Sequence, residues 1–174
     1  MAKRKITQKK LYRLAASVKM VVFDFDGVFT DNRVWVFEDG REATCCFRSD
    51  GLGIERLKTV PHLKLLVLSK EENPVVAVRC RKLKIECIQR CDNKLSVLKK
   101  EATRRGIEMV DVCYVGNDIN DVECLQAVGL SVCVGDAYPE AKLVSKLVLK
   151  KNGGRGAVRE LCDRLLAANS RKEK

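Results

Sequence analysis

The sequence predicts an α/β domain: a doubly wound parallel sheet with a β-hairpin flap after its first strand. Three observations carry that expectation. Short apolar runs bounded by turn residues alternate with segments of helical period over nearly the whole chain. After the hairpin a helical segment separates each run from the next, which is the crossover that parallel pairing needs. There is no internal repeat and no linker rich in proline, glycine or serine, and 174 residues suffice for one domain with a real core.

Taken in order, Thr7 to Val18 reads as an amphipathic helix with Leu11, Leu14, Ala15 and Val18 on one face. Met20 to Phe23 is a short apolar run of the kind that makes a buried strand, and it ends abruptly in Asp24 and Asp26, with Gly27 directly after. Asn32 to Ser49 reads as a hairpin, with Val34 to Phe37 as one strand, Glu38-Asp39-Gly40 as the turn and Glu42 to Phe47 as the return. Trp35, Val36 and Phe37 are too many consecutive apolar residues for a two-stranded flap to hide on one face. Either a protomer contact or local packing on the core must cover them.

Asp50-Gly51-Leu52-Gly53-Ile54 leads into a helix to about Thr59, and Leu63 to Leu68 is an apolar strand with Ser69 at its end. Asn73 to Leu83 is a helix opening on Pro74, a favoured first-turn position. Ile85 to Ile88 is a strand, and Asn93 to Arg105 a helix with Lys94 near its start. Asp111 to Val115 is the next strand, followed by Gly116-Asn117-Asp118-Ile119-Asn120-Asp121 and a helix from Ile119 to Val128. Leu130 to Val134, Pro139 to Lys146 and Leu147 to Leu149 give strand, helix and strand. The loop Asn152-Gly153-Gly154-Arg155-Gly156 precedes a terminal helix from Ala157 to about Ala168. The expectation is one doubly wound, Rossmann-like domain over residues 20–168, with a basic tail or helix at 1–19 and a basic tail at 169–174.

Composition excludes several classes. The nine cysteines are odd in number and lack a Cys-x-x-Cys, and Cys80, Cys87, Cys113, Cys124, Cys133 and Cys162 lie in apolar segments. Buried thiols in a reducing cytoplasm fit better than disulfides or a zinc site. His62 is the only histidine, which rules out multi-histidine metal chemistry. Residues 1–19 lack the apolar stretch of a secretory leader, and no run approaches a membrane span. The net charge of +11 suggests nucleic acid at first sight. Yet residues 1–19 hold seven Lys/Arg and no acid and residues 171–174 carry net +2, which leaves only +2 for residues 20–170. With nine aromatic residues and no stacking platform, nucleic-acid binding is not expected.

In an open α/β sheet, ligands sit beyond the carboxyl ends of the strands, where Asp24 and Asp26 would point. Two adjacent carboxylates repel and lose solvation, which a divalent cation offsets, and oxygen-only ligands suit Mg²⁺.

The run Asp24-Phe25-Asp26-Gly27-Val28-Phe29-Thr30 closely resembles motif I of the haloacid dehalogenase superfamily of phosphatases. The resemblance implies that Asp24 is a nucleophile forming an aspartyl-phosphate. It implies that Asp26 protonates the leaving alkoxide and then activates water, while its backbone carbonyl binds Mg²⁺. Ser69, after Val67-Leu68, would hold a phosphate oxygen through its hydroxyl and backbone N–H. Lys94 would neutralise the phosphoryl group and Asp24. Gly116 to Asp121 resembles the Gly-Asp-x-x-Asn-Asp motif that completes the metal sphere, but Asn117 stands where an aspartate is usual. Asn117 is the aligned ligand, and Asp118 is kept as its substitute.

Residues 32–50 have room only for a hairpin and residues 70–93 only for a helix and a strand, so the chain lacks a cap domain. Over residues 20–168 it resembles the capless branch that includes the 3-deoxy-octulosonate 8-phosphate phosphatases. Asp50-Gly-Leu-Gly-Ile54 and Gly153-Gly-Arg-Gly-Ala-Val-Arg-Glu160 carry this likeness. It implies a homotetramer in which a neighbour covers each site. Thr30, Asp50, Glu71, Arg79 and Lys82 are the substrate-binding candidates. The last three align with a Glu/Arg/Lys set of phosphatases for nine-carbon sugar acids, which favours N-acylneuraminate or deaminoneuraminate 9-phosphate over the octulosonate phosphate. The segment also resembles the phosphatase-like domain of some acylneuraminate cytidylyltransferases, which makes such an enzyme a candidate partner and a non-catalytic assembly module the rival reading.

Overall fold

The computed structural model describes residues 7–170. The terminal basic residues 1–6 and 171–174 lie outside the described residues. Helix α1 (Gln8–Ser17) is capped by the Thr7 hydroxyl, which accepts from the Lys10 N–H at 3.3 Å. Ala15 is buried, while Lys9, Lys10 and Arg13 face solvent.

The remaining elements follow in the order expected. They are β1 (Met20–Phe23), the hairpin β2 (Thr30–Val36) and β3 (Glu42–Cys46), α2 (Arg48–Leu57), β4 (Lys64–Leu68), α3 (Val75–Leu83), β5 (Glu86–Ile88) and α4 (Lys94–Arg104). Then come β6 (Val112–Gly116), α5 (Val122–Ala127), β7 (Leu130–Cys133), α6 (Pro139–Val144), β8 (Leu147–Val148) and α7 (Ala157–Ser170). Six strands form one parallel sheet of order β5-β4-β1-β6-β7-β8, and β2 pairs only with β3. Among the described residues no cap domain is present: the hairpin is the whole insertion between β1 and α2.

The sheet order explains where a site must lie. From β1 the chain builds outward through β4 to β5, then returns to the other side of β1 and builds outward through β6, β7 and β8. The direction reverses between β1 and β6, and the crevice beyond their carboxyl ends is the usual ligand position. β1 is the buried centre, with all four residues inaccessible and Phe23 in register with Val67 and Val115. The residues that follow those three strands therefore emerge side by side.

Two details depart from expectation. α2 starts at Arg48, so the Asp-Gly-Leu-Gly run lies inside the helix rather than before it. The reason is close packing of α2 on α7. A Cβ at Gly53 would stand 3.1 Å from the Arg159 Cα and 3.2 Å from the Cys162 Cβ. The helix expected over 119–128 is split, a tight 3₁₀ turn (Ile119–Asp121) preceding α5. Its purpose appears in the site below.

The hairpin meets the core at its base, where Thr30 is buried and Cys46 packs on core residues. Its apolar run does not: among the described residues Val34, Trp35, Val36 and Phe37 are exposed, Trp35 by 69%, with the Arg41 guanidinium over the Phe37 ring. The nine cysteines are all free, and most are buried. Burial pushes the Cys124 thiol up to about 12, far from the range of a reactive thiolate.

Candidate active site

Asp24 leaves β1 with its N–H still donating to the Val115 carbonyl of β6 at 2.9 Å, so the sheet itself fixes its place. The chain then turns at once. The Phe29 N–H donates to the Phe25 carbonyl at 2.8 Å, and the Thr30 hydroxyl accepts from the N–H groups of Gly27 and Asn32 at 3.1 and 3.2 Å. Phe25 and Phe29 stack in the core beneath this turn. The loop Gly153-Gly154 braces it from behind, the Gly154 N–H donating to the Val28 carbonyl at 3.1 Å. Asp24 and Asp26 thereby share the wall of one cavity of about 300 Å³ with Ser69, Glu71, Asn117 and Asp118.

Lys94 is buried, against the ordinary behaviour of a helical lysine. Asn93 caps α4, its side chain accepting from the Ser96 N–H at 2.9 Å, which aims the first-turn Lys94 at the strand ends. The Lys94 Nζ lies 2.7 Å from Asp24 Oδ1 and 2.8 Å from Asp121 Oδ1. Asp121 is fully buried and also accepts from the Tyr114 hydroxyl at 2.7 Å and the Asn117 N–H at 2.9 Å. The 3₁₀ turn exists to swing this carboxylate back beneath the strand end. Glycine is required at 116, where a Cβ would stand 2.4 Å from Asp121 Oδ2. Asp121 closes the Gly116–Asp121 run that the sequence reading expects to complete the metal sphere and orient Lys94, but it was given no role of its own. A glycine directly before the loop, with an acid five residues on, was the available signal.

The amide terminus of Asn117 stands 3.1 Å from both Asp24 Oδ2 and the Asp26 carbonyl oxygen. Turned one way, Nδ2 donates to both; turned the other, three oxygens converge. At metal–oxygen distances of 2.0–2.1 Å, adjacent ligands of an octahedral ion lie about 3 Å apart, so the spacing of Asn117 from each of the other two oxygens suits neighbouring ligands of a Mg²⁺ ion. No group of three His, Cys, Asp or Glu side chains able to hold a metal occurs among the described residues. The donors here are one carboxylate, one carbonyl and one amide instead.

The charges follow from this packing. Burial pushes the Asp24 carboxyl up to about 8, aided by the Asp121 charge and opposed by Lys94. Asp26 is raised to about 6, again mainly by burial and then by Glu71. Burial works against the charge on Lys94, but Asp24 and Asp121 outweigh it and raise its pKa above the usual lysine value. A lysine held charged beside an aspartate that strongly favours an added positive charge is an arrangement for binding an anion and a cation together.

A family model described as haloacid dehalogenase-like hydrolase matches residues 66–161. The 3-deoxy-D-manno-octulosonate 8-phosphate phosphatase of Escherichia coli K12 is 33% identical over 158 residues, covering 90% of this chain and 84% of that protein. The chain belongs to the haloacid dehalogenase-like hydrolases. Among solved structures, a family hydrolase from Streptomyces avermitilis superposes with a TM-score of 0.84 at 43% identity, over 87% of each chain. The octulosonate phosphatase of Moraxella catarrhalis, solved with magnesium, phosphate and KDO, superposes with a TM-score of 0.91 at 28% identity, over 96% of each chain. This haloacid dehalogenase-like hydrolase is a phosphatase without a cap domain.

The structure sorts the other candidates unequally. Ser69 is buried on the cavity wall, and its hydroxyl accepts from the Glu71 N–H at 3.0 Å. Its backbone N–H, expected to hold phosphate, instead donates to the Ile88 carbonyl at 3.0 Å, so only the hydroxyl faces a ligand. Asp118 lines the cavity, but its carboxylate accepts from the Ile119 N–H at 2.6 Å as a cap. Asn117, not Asp118, is the residue placed against Asp24 and Asp26.

Thr30 and Asp50 do not line the cavity as substrate-binding residues. Both are fully buried, Thr30 holding the turn and Asp50 accepting from the Arg159 N–H at 2.9 Å where α2 meets α7. Arg79 and Lys82 also stand apart from Asp24. They line a separate cavity of about 800 Å³ with Arg48, Lys58 and Lys84, on the side of α3 that faces α2. Of the five substrate candidates only Glu71 borders the catalytic cavity, which Asn32, Lys70 and Asn120 also line.

Proposed function

We propose that this chain is a Mg²⁺-dependent phosphomonoesterase for the phosphate of a 2-keto-3-deoxy sugar acid. The observation that carries the reading is Asp24, with Oδ1 against the Lys94 ammonium and Oδ2 against the Asn117 amide, whose terminus also reaches the Asp26 carbonyl. Asp24, the Asp26 carbonyl and Asn117 would hold the Mg²⁺, which supplies positive charge to the transferring phosphoryl group. An Asp24 carboxylate oxygen attacks phosphorus, the ester P–O bond breaks, and Asp26 gives its proton to the leaving alkoxide. Asp26 then takes a proton from water, the water oxygen attacks the phosphoryl-aspartate, and inorganic phosphate leaves with Asp24 restored. Lys94 and the Ser69 hydroxyl position the phosphoryl oxygens and balance their charge, which is most of what such a transfer requires.

For the sugar, the reading favours N-acylneuraminate or deaminoneuraminate 9-phosphate, because Glu71, Arg79 and Lys82 are present together. Arg79 and Lys82 reach a substrate in a homotetramer whose neighbouring chain turns its basic cavity toward this rim. The exposed Trp35 hairpin supports such an assembly. The 33% identity to the Escherichia coli phosphatase favours a second reading, octulosonate 8-phosphate. Phosphate release with Mg²⁺ from the two esters and from an aryl phosphate separates them. The nine-carbon ester is expected to be preferred, and Lys82→Ala to raise its KM while leaving the aryl phosphate unaffected. Preference for the eight-carbon ester would reverse the substrate assignment and leave the chemistry standing.

A further inference from the structure

The catalytic cavity does not end at Asp26. A second cavity of about 190 Å³ opens beside it, between the hairpin and the start of α3, and the two share Asp26, Asn32 and Glu71 as a common wall. Asp26 borders both cavities, Asp24 only the first. In a phosphoryl transfer the attacking and leaving oxygens lie roughly in line across phosphorus. With Asp24 attacking and Asp26 protonating the leaving oxygen, the leaving group extends away from Asp24, past Asp26 and into the second cavity.

The walls of this cavity are held in place from several sides. The Gln89 side-chain amide donates to the Glu71 and Asn73 carbonyls at 3.2 and 2.7 Å, which fixes the loop between β4 and α3. Asn73 Oδ1 accepts from the Val75 N–H at 3.0 Å, and its Nδ2 donates to Glu42 Oε2 at 2.8 Å. The start of α3 thus holds a carboxylate of β3 on the cavity wall. The neighbouring cations are held by other acids, Arg33 by Asp31, Arg90 by Glu72 and Lys70 by Asp92. On the same wall is Thr44, whose Oγ1 is closed to solvent and has no hydrogen-bond partner among the described residues, a condition that buried polar atoms rarely show. Val75 and Val76 supply an apolar part of the lining.

We propose that this cavity is the leaving-group subsite, and that Glu42, with Glu71 and Thr44, selects esters whose carbons next to the phosphate carry hydroxyl groups. This rests on the phosphatase reading of Asp24 and Asp26. An ionised carboxylate is an acceptor only, so it takes hydrogen bonds from hydroxyls and repels a further carboxylate. A sugar acid therefore enters phosphate end first, with its polyol chain along Glu42 and Glu71 and its own carboxylate turned out toward the rim. The two valines meet the C–H side of that chain.

The test measures kcat and KM of wild type, Glu42→Ala, Glu42→Gln and Thr44→Val with N-acetylneuraminate 9-phosphate, octulosonate 8-phosphate and p-nitrophenyl phosphate. The quantity to follow is the ratio of kcat/KM between the better sugar acid ester and the aryl ester, which has no hydroxyl to offer. Glu42→Ala is expected to lower that ratio about tenfold, the loss of one hydrogen bond to a charged group, and to do so through KM for the sugar. Glu42→Gln keeps the reach and one accepting oxygen, and should restore part of the ratio. Thr44→Val is expected to lower the ratio without lowering the melting temperature, since its hydroxyl has no bond to lose in the free protein. Glu42 also helps to raise the Asp26 carboxyl, after burial and Glu71, but that effect falls on every ester alike. An unchanged ratio in Glu42→Ala, whether both esters slow together or neither does, would overturn the subsite. A folded wild type that releases phosphate from none of the three esters would instead fail the phosphatase reading, and the subsite with it.

Discussion

The Lys94 ammonium lies 2.7 Å from the Asp24 carboxylate, and both side chains are almost wholly removed from water. A buried pair of this kind contributes little net stability, but removing one partner leaves the other uncompensated. Lys94 compensates two acids, Asp24 and Asp121, so its loss is felt twice.

Lys94→Met should therefore fold less stably by about 3–5 kcal/mol and lose phosphatase activity by at least about a hundredfold, close to the loss of an oxyanion donor. Urea unfolding alongside phosphate release checks both. Loss of activity at wild-type stability would mean that the lysine is not held as described.

Asp50 gives a pH signature away from the catalytic cavity. Its carboxyl is raised to about 6, mainly by burial, although the Arg159 N–H and Arg79 oppose the shift. A folded pKa above the unfolded one means that the native state binds this proton more tightly. The contribution is present below about pH 4 and is lost as pH rises through about 6, by roughly 3 kcal/mol at 1.36 kcal/mol per unit. Asp50→Asn keeps an acceptor for the Arg159 N–H. Its stability relative to wild type should rise between pH 4 and 7, measured by urea unfolding at each pH. A constant difference would show that Asp50 does not ionise there.

Trp35→Glu tests the hairpin. Trp35 is exposed and does not line the catalytic cavity, so in an isolated chain the change should cost less than about 0.5 kcal/mol. If the hairpin is an assembly surface, light scattering after size exclusion should show dissociation, with turnover of the sugar acid ester falling more than turnover of an aryl phosphate. An unchanged oligomeric state would leave the apolar hairpin without this explanation.

Much of the site was legible because strand ends are legible. The run Met20–Phe23 reads as a buried strand, and in the structure its register with β4 and β6 brings Asp24 beside the strand ends that lead into Ser69 and Asn117. Lys94 was legible only by its order in the chain, since nothing in a lysine's neighbours announces burial. Asp121 was legible only as the end of the Gly116–Asp121 run, because its own part is set by a 3₁₀ turn that the apolar pattern does not distinguish from the helix after it. Thr30 and Asp50 were misread as substrate-binding for a related reason. A side chain that serves backbone N–H groups looks, in sequence, like one that serves a ligand. Arg79 and Lys82 were grouped with Glu71 by alignment alone. Glu71 precedes α3, whereas Arg79 and Lys82 belong to its far half, several residues along an axis that rises about 1.5 Å per residue.

The measurement to make first is phosphate release from a sugar acid phosphate by wild type and Asp24→Asn, each with MgCl₂ and with EDTA. Turnover by wild type in Mg²⁺, abolished both by EDTA and by the single change at Asp24 in a protein that remains folded, is the predicted result. Turnover that survives Asp24→Asn, or a folded wild type with none in Mg²⁺, would contradict an aspartyl-phosphate at this site, and the second outcome would point to an assembly module.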